Sequence, residues 1–208
     1  LSERAEQVLK LFAGLIAQSI QKESLVTQLR EANAALIAHS YTDALTGLPN
    51  RRAIFEDLTT LFSLARHLKR NAIIAFIDLD DFKLINDRYG HEAGDQFLIE
   101  VGKRLTEEKQ QDDIIGRLGG DEFLVASLSQ PHQDGDNAQL TLLKTRLSAC
   151  IAGEYWLGSV HIIYPGASFG VIEVDRAATD PDSALRAADV AMYQDKKGKS
   201  KSRFLTID

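Results

Sequence analysis

The chain has 208 residues, of which 44% are hydrophobic, and a formal net charge of −6. That length supports one catalytic-size domain with an appendage, and the acidic balance excludes a general nucleic-acid binder, whose footprint is basic. The one cysteine, Cys150, excludes an internal disulfide framework and fits a reducing cytoplasm, and no apolar run reaches the ~18 residues that cross a bilayer.

Residues 1 to about 40 contain no proline and a single glycine, Gly14, with apolar residues at three- and four-residue steps, which predicts one long helix. With Val8 at heptad position a, a seam of Val8, Leu11, Leu15, Leu25, Leu29, Ala32 and Leu36 emerges, interrupted by Gln18 and Lys22. A second stripe, Leu9, Phe12, Ile16 and Ile20, calls for cover on another face. Starting at Leu1 inside this pattern, the chain reads as a piece of something longer, with a stalk over 1–41 and a globular domain over 42–208.

Gly47 and Pro49 break the pattern, and Asn50 can cap a helix reaching about Lys69. Ala72–Ile77 reads as a buried strand that ends in Asp78-Leu79-Asp80-Asp81. Helical spacing resumes over Phe82–Tyr89 and, after Gly90 and Gly94, over Asp95–Glu107. Two apolar runs, Ile114–Leu118 and Phe123–Val125, flank Gly119-Gly120-Asp121-Glu122, a hairpin signal. A polar loop over 130–137, a helix over 138–152, strands near Ser159–Tyr164 and Ala167–Val174, a helix from Asp182 to about Lys196 and an edge strand at Phe204–Leu205 complete the domain. Alternating helices and strands predict an α/β or α+β fold.

The chemistry gathers at the hairpin. A turn that delivers Asp121 and Glu122 beside exposed N–H groups suits a magnesium-bound polyphosphate, because Mg²⁺ takes few carboxylates and leaves its other positions to substrate oxygens. Asp78, at the end of a buried strand, completes a two-carboxylate site if the two strands are neighbours. Asp78, Asp80 and Asp81 read equally as a solvated strand end and helix cap, the preferred reading for Asp80. The amides at Asp81–Lys83 and the Lys83 ammonium favour phosphate. Lys196 and Lys199 either reach the same phosphates or form a solvated face. Asn86 and Asp95 carry the groups that pair with a guanine edge, although Asn86 reads equally as a local cap.

Four motifs in order, Asp43–Arg51, Asp78–Asp87, Gly90–Asp95 and Gly119–Phe123, resemble the GGDEF domain of diguanylate cyclases, from about Asp43 to Lys199. The resemblance implies a nucleotidyl-cyclase and polymerase-palm-like sheet flanked by helices, here preceded by a coiled-coil helix similar to the exit helix of a GAF domain. It implies condensation of two GTP into cyclic di-GMP with Mg²⁺, or Mn²⁺ in its place, by a cytoplasmic homodimer joined through the N-terminal helix, in bacterial control of biofilm and motility. No nucleic acid and no membrane segment enters that picture. By position, Asp78, Asp121, Glu122 and the Leu79 carbonyl are implied as metal ligands. Glu122, Asp121 and Arg117 are implied as the catalytic set and Asn86 with Asp95 as guanine readers. Asp81, Phe82, Lys83, Gly119, Gly120, Lys196 and Lys199 are implied as the phosphate site.

The chain departs from the family pattern twice. Where product-inhibited members carry Arg-x-x-Asp, it has Gln110-Gln111-Asp112-Asp113, which leaves a degenerate site of Gln110 and Asp113. The usual Lys-x-x-Gly-Arg is shortened to Lys196-Lys197-Gly198-Lys199, which bears on Lys199 more than on Lys196. The rivals are a catalytically silent module that binds GTP or cyclic di-GMP, and a structural dimerisation domain, which would leave the guanine-reading pair unexplained.

Overall fold

The computed structural model describes residues 16, 18–28, 41–110, 112–130, 138–178 and 180–199, and the backbone of 205–206. The chain divides into two compact units, Leu1–Ser40 and Tyr41–Asp208. In the first, residues 18–28 are helical, and Ile16, Ile20, Leu25 and Val26 are exposed. Apart from Leu25 the apolar seam, and of the second stripe Leu9 and Phe12, lie outside the described residues.

The second unit opens with a loop closed by a bridge between Thr42 and Pro49 and by the Asp43 amide, which donates to the Leu48 carbonyl at 2.7 Å. Asn50 then caps α1 (Arg51–Leu68), its side-chain oxygen accepting from the amides of Arg52 and Ala53. In chain order follow β1 (Ala72–Leu79), α2 (Phe82–Tyr89), α3 (His91–Glu107), β2 (Ile114–Gly119), β3 (Glu122–Leu128) and α4 (Ala138–Ile151). They are succeeded by β4 (Gly153–Leu157), β5 (Val160–Tyr164), β6 (Ala167–Val174), α5 (Pro181–Gly198) and β7 (Leu205–Thr206).

The central sheet has the order β2-β3-β1-β6, with every pair antiparallel. Strand β1 is buried along its whole length, and both of its faces are apolar up to Asp78 near its end. Side chains alternate between the faces. Ile74, Phe76, Leu124 and Ala126 pack with Ile54, Leu58 and Phe62 of α1 and with Leu185, Ala188 and Met192 of α5. Ile73, Ala75, Ile77, Phe123 and Val125 pack on the opposite face with residues of α3, α4 and the β4–β5 hairpin. Phe97, Tyr155 and Tyr164 meet edge to face there, with two centroid separations of 4.7 Å. Gly170 lets α5 lie directly on β6, since a Cβ there would stand 1.9 Å from the Ala188 carbonyl oxygen.

The α+β architecture matches the expectation, with differences in detail. Strand β1 runs on to Leu79 because it pairs with β6 as far as Ala167. Helix α3 starts at His91 and not at Asp95; Gly94 sits inside it, where the Asn86 side chain takes up the space of a Cβ. Strand β4, not foreseen, buries Tyr155 and Leu157 while exposing Glu154 and Trp156, and pairs with β5 in a second sheet, β4-β5-β7. The loop expected over 130–137 lies outside the described residues from 131 onward, and the edge strand falls at 205–206.

Candidate active site

The β2–β3 turn is shaped by backbone geometry. Gly119 and Gly120 take φ values of 142° and 53°, which side chains other than glycine rarely adopt, and the strand register shifts between Arg117 and Gly119. Arg117 is buried under this turn. Its Nε and Nη2 donate to the Gly120 carbonyl at 3.0 and 2.7 Å, and its Nη1 to Asp43 Oδ1 at 2.8 Å. Asp43 is itself held by the amide and hydroxyl of Thr46. Burial works to raise the Asp43 carboxyl, but the hydrogen bonds from Thr46 and Arg117 outweigh it and bring it below the usual range. The Arg117 amide donates to the Pro49 carbonyl, so the same residue ties β2 to the start of α1.

Register brings the acids together. Asp78 stands directly opposite Glu122 in the β1–β3 pair, so both side chains project on the α1/α5 face. Asp121 lies in the turn, its carbonyl accepting from the Leu79 amide at 3.2 Å. Burial and the Asp78 charge push the Asp121 carboxyl up. Burial and the charges of Asp121, Asp78 and Asp189 do the same to Glu122, opposed by Arg51. Lys196 answers this cluster: its Nζ donates to Asp78 Oδ1 at 2.5 Å. Burial works to lower the Lys196 ammonium, but the bond to Asp78 and the nearby acids outweigh it and raise it. Among the described residues, no three His, Cys, Asp or Glu side chains group closely enough to hold a metal unaided. Asp78, Asp121 and the Leu79 carbonyl could hold one with substrate oxygens completing the shell, which is how Mg²⁺ is commonly bound.

Asp81 takes a left-handed conformation, φ 58°, and its side chain does not cap α2. A helix start leaves its first amides, here those of Phe82 and Lys83, without intrahelical acceptors. Lys83 is exposed. The Asn86 carboxamide lies over Gly94, so α2 and α3 bring Asn86 beside the exposed Asp95. Lys199 is placed differently from Lys196: its Nζ donates to Asp80 Oδ2 and to the Ala167 carbonyl. Asp80, expected as a solvated strand end, is largely buried, accepting from Ser168 Oγ at 2.6 Å and, at its carbonyl, from the Tyr164 hydroxyl at 2.9 Å.

Gln110 and Asp113 lie at the other end of β2. Asp113 is buried and already paired, accepting from Arg146 Nη2 and the Gln110 amide, each at 3.0 Å. Sequence reasoning gave no role to Asp43, Arg51, Tyr164, Ser168 or Asp189. Of these, Asp43 had a readable signal, Asp-x-x-Thr ahead of a glycine turn.

A family profile described as “Diguanylate cyclase, GGDEF domain” matches residues 40–202. The chain is 67% identical over 204 residues to diguanylate cyclase DgcP of Escherichia coli K12, covering 98% of this chain and 58% of that protein. It is 34% identical over 174 residues to cyclic di-GMP phosphodiesterase PdeR of the same organism, covering 83% of this chain and 25% of that one. The chain thus spans little more than half, or only a quarter, of these relatives. Among solved structures it is similar to the coiled coil and GGDEF domain of DgcB from Caulobacter crescentus, in complex with c-di-GMP. The TM-score is 0.77 at 24% identity, over 90% of this chain and 96% of that one, a likeness that speaks to the fold alone.

Proposed function

Because this chain belongs to the GGDEF domain family, we propose that it is a diguanylate cyclase, condensing two GTP into cyclic di-GMP with release of two pyrophosphates. The observation that carries the reading is the Asp78–Glu122 pair with Asp121 in the adjoining turn. These acids repel one another, and among the described residues Lys196, the buried Arg117 and Arg51 oppose their charge. Such a cluster fits a divalent cation together with an anionic substrate.

Residues 42–208 form the catalytic domain and residues 1–41 the stalk. Asp78, Asp121 and the Leu79 carbonyl would hold Mg²⁺, or Mn²⁺ in its place, and Glu122, opposite Asp78 in the strand pair, would be a further ligand. When bound, the ion neutralises charge at the phosphates and polarises the α-phosphate. Asn86 and Asp95 read guanine. The amides of Asp81, Phe82 and Lys83, with the Lys83 and Lys196 ammonium groups, hold the triphosphate, while Gly119 and Gly120 leave room for it against the turn. Glu122, whose carboxyl is pushed up by burial and by the neighbouring acids, orients the 3′-hydroxyl and accepts its proton. The 3′-oxygen attacks the α-phosphorus of the other GTP, the bond to the β-phosphate oxygen breaks and pyrophosphate leaves. A second such step closes the ring. Arg117 keeps the turn in place.

Each domain contributes one GTP, so two domains must face each other. A parallel stalk dimer would raise the local concentration of the second domain to roughly millimolar. GTP as substrate places the reaction in the cytoplasm. Incubating the chain with GTP and Mg²⁺ and resolving the products by chromatography tests the reading: cyclic di-GMP supports it, and bound but unconverted GTP identifies a silent module. Repeating the assay without residues 1–38 tests the stalk, whose loss should make specific activity climb with protein concentration.

A further inference from the structure

The shortened C-terminal motif leaves Lys199 three residues after Lys196, and the two lysines have different surroundings. Among the described residues, the Lys196 ammonium makes one hydrogen bond, to Asp78. An ammonium has three hydrogens, which leaves it donors to offer. Lys199 is engaged within the fold. Its Nζ donates to the Ala167 carbonyl at 2.5 Å, to Asp80 Oδ2 at 3.2 Å and to Ser168 Oγ at 3.4 Å, and pairs with Asp195 Oδ2 at 3.4 Å. Three hydrogen bonds employ the three hydrogens of the ammonium.

What these contacts hold is the β1–α2 junction. Asp81 keeps a left-handed backbone, which Asp enters more readily than most side chains by bonding locally, but here its own side chain makes no cap. The restraint comes through Asp80, held at one carboxylate oxygen by Ser168 of β6, at the other by Lys199, and at its carbonyl by Tyr164 of β5. On its other side the Leu79 amide is fixed to the Asp121 carbonyl. Strands far apart in the chain thus converge on one dipeptide, next to the Leu79 carbonyl and the first amides of α2.

We infer that Lys199 and Asp80 form a positioning pair, supported by Ser168 and Tyr164, that sets the β1–α2 junction for the reaction, and that Lys199 is not a phosphate ligand. This rests on the cyclase reading, in which the junction supplies a metal-binding carbonyl and phosphate-binding amides. The pair acts through backbone geometry, so its loss is felt without any nucleotide bound.

The test uses the full chain. In a ¹⁵N-labelled sample free of nucleotide, Lys199→Met and Asp80→Asn should each shift the amide resonances of Asp81, Phe82 and Lys83. At saturating GTP each should lower kcat on the order of tenfold to a hundredfold, the scale of a misplaced reacting geometry. The double variant should be no worse than the poorer single one, because both remove the same restraint. Ser168→Ala, a smaller change, should shift the same resonances by less. Unmoved amides, with a double variant whose loss is the product of the two single losses, would overturn the proposal and return Lys199 to the phosphates. Shifted amides with unchanged kcat would instead overturn the use of the junction in the reaction. If the unmodified chain forms no product the cyclase reading fails, and the resonances still decide whether the pair sets the junction.

Discussion

Replacing Gly94 by alanine should damage base recognition while leaving the fold intact. Gly94 is buried inside α3, where glycine costs about 1 kcal/mol relative to alanine. The reason for its presence is steric. A Cβ at this position would stand 2.0 Å from Asn86 Oδ1 and 2.9 Å from Asn86 Cγ. Carbon and oxygen pack no closer than about 3.3 Å, so the carboxamide must retreat by about an ångström or rotate away. The obstructing atoms end a side chain and are not backbone, so the helix itself need not move. The gain in helix propensity then offsets the local repacking, and the melting temperature should change by only a few degrees. Recognition should suffer more: an ångström of misplacement can cost about 100-fold, and a site that pairs with substrate N–H groups loses selectivity when its partner is displaced. Affinities for GTP and ATP, measured by titration calorimetry on both proteins, should show the GTP preference falling by roughly 10- to 100-fold. An unchanged preference would refute Asn86 as a guanine reader.

Asp121→Asn should abolish turnover and yet raise the melting temperature at neutral pH without divalent cation. Asp121 holds its proton to higher pH in the folded chain than the ordinary 3.8. Folding therefore loses stability as pH rises from about that value through the raised one, and the variant escapes this loss; an unaltered pH–stability curve would contradict the shift. Asp43→Asn should cost about 2 kcal/mol in urea unfolding at pH 7, the worth of a charge-assisted hydrogen bond to the buried Arg117. The penalty should shrink as pH falls below 3.8 through the lowered folded-state value, because the parent chain loses the same interaction there. Added cyclic di-GMP should inhibit only weakly at the Gln110–Asp113 site. Gln110 lacks the bidentate charge of arginine and Asp113 is already taken by Arg146, so strong inhibition that Asp113→Ala abolishes would contradict this.

Local chemistry made part of this molecule legible from sequence. Asn50 as a cap, the apolar run of β1 and the Gly-Gly hairpin each express a short-range rule, and each stands close to where that rule put it. Asp78 and Asp121 needed one further condition, that β1 and β3 be neighbours, and the register meets it. What escaped depended on long-range placement. Asp80 looked solvated because nothing nearby in sequence covers it; its partners Tyr164 and Ser168 arrive only because β6 pairs with β1 and β5 precedes it. Gly94 looked like a break because the side chain filling its missing Cβ belongs to another helix. Strand β4 was hidden because two inward residues, Tyr155 and Leu157, are too short an alternation between a helix end and Gly158.

The central claim, that Asp78, Asp121 and Glu122 act on two GTP molecules, is tested most directly by counting products. With Mg²⁺ and GTP, pyrophosphate and cyclic di-GMP should appear together at two to one, and both should fall by orders of magnitude in Asp121→Asn, a change that barely alters shape. Formation of GDP and phosphate, a different ratio, or near-normal turnover in Asp121→Asn would contradict it.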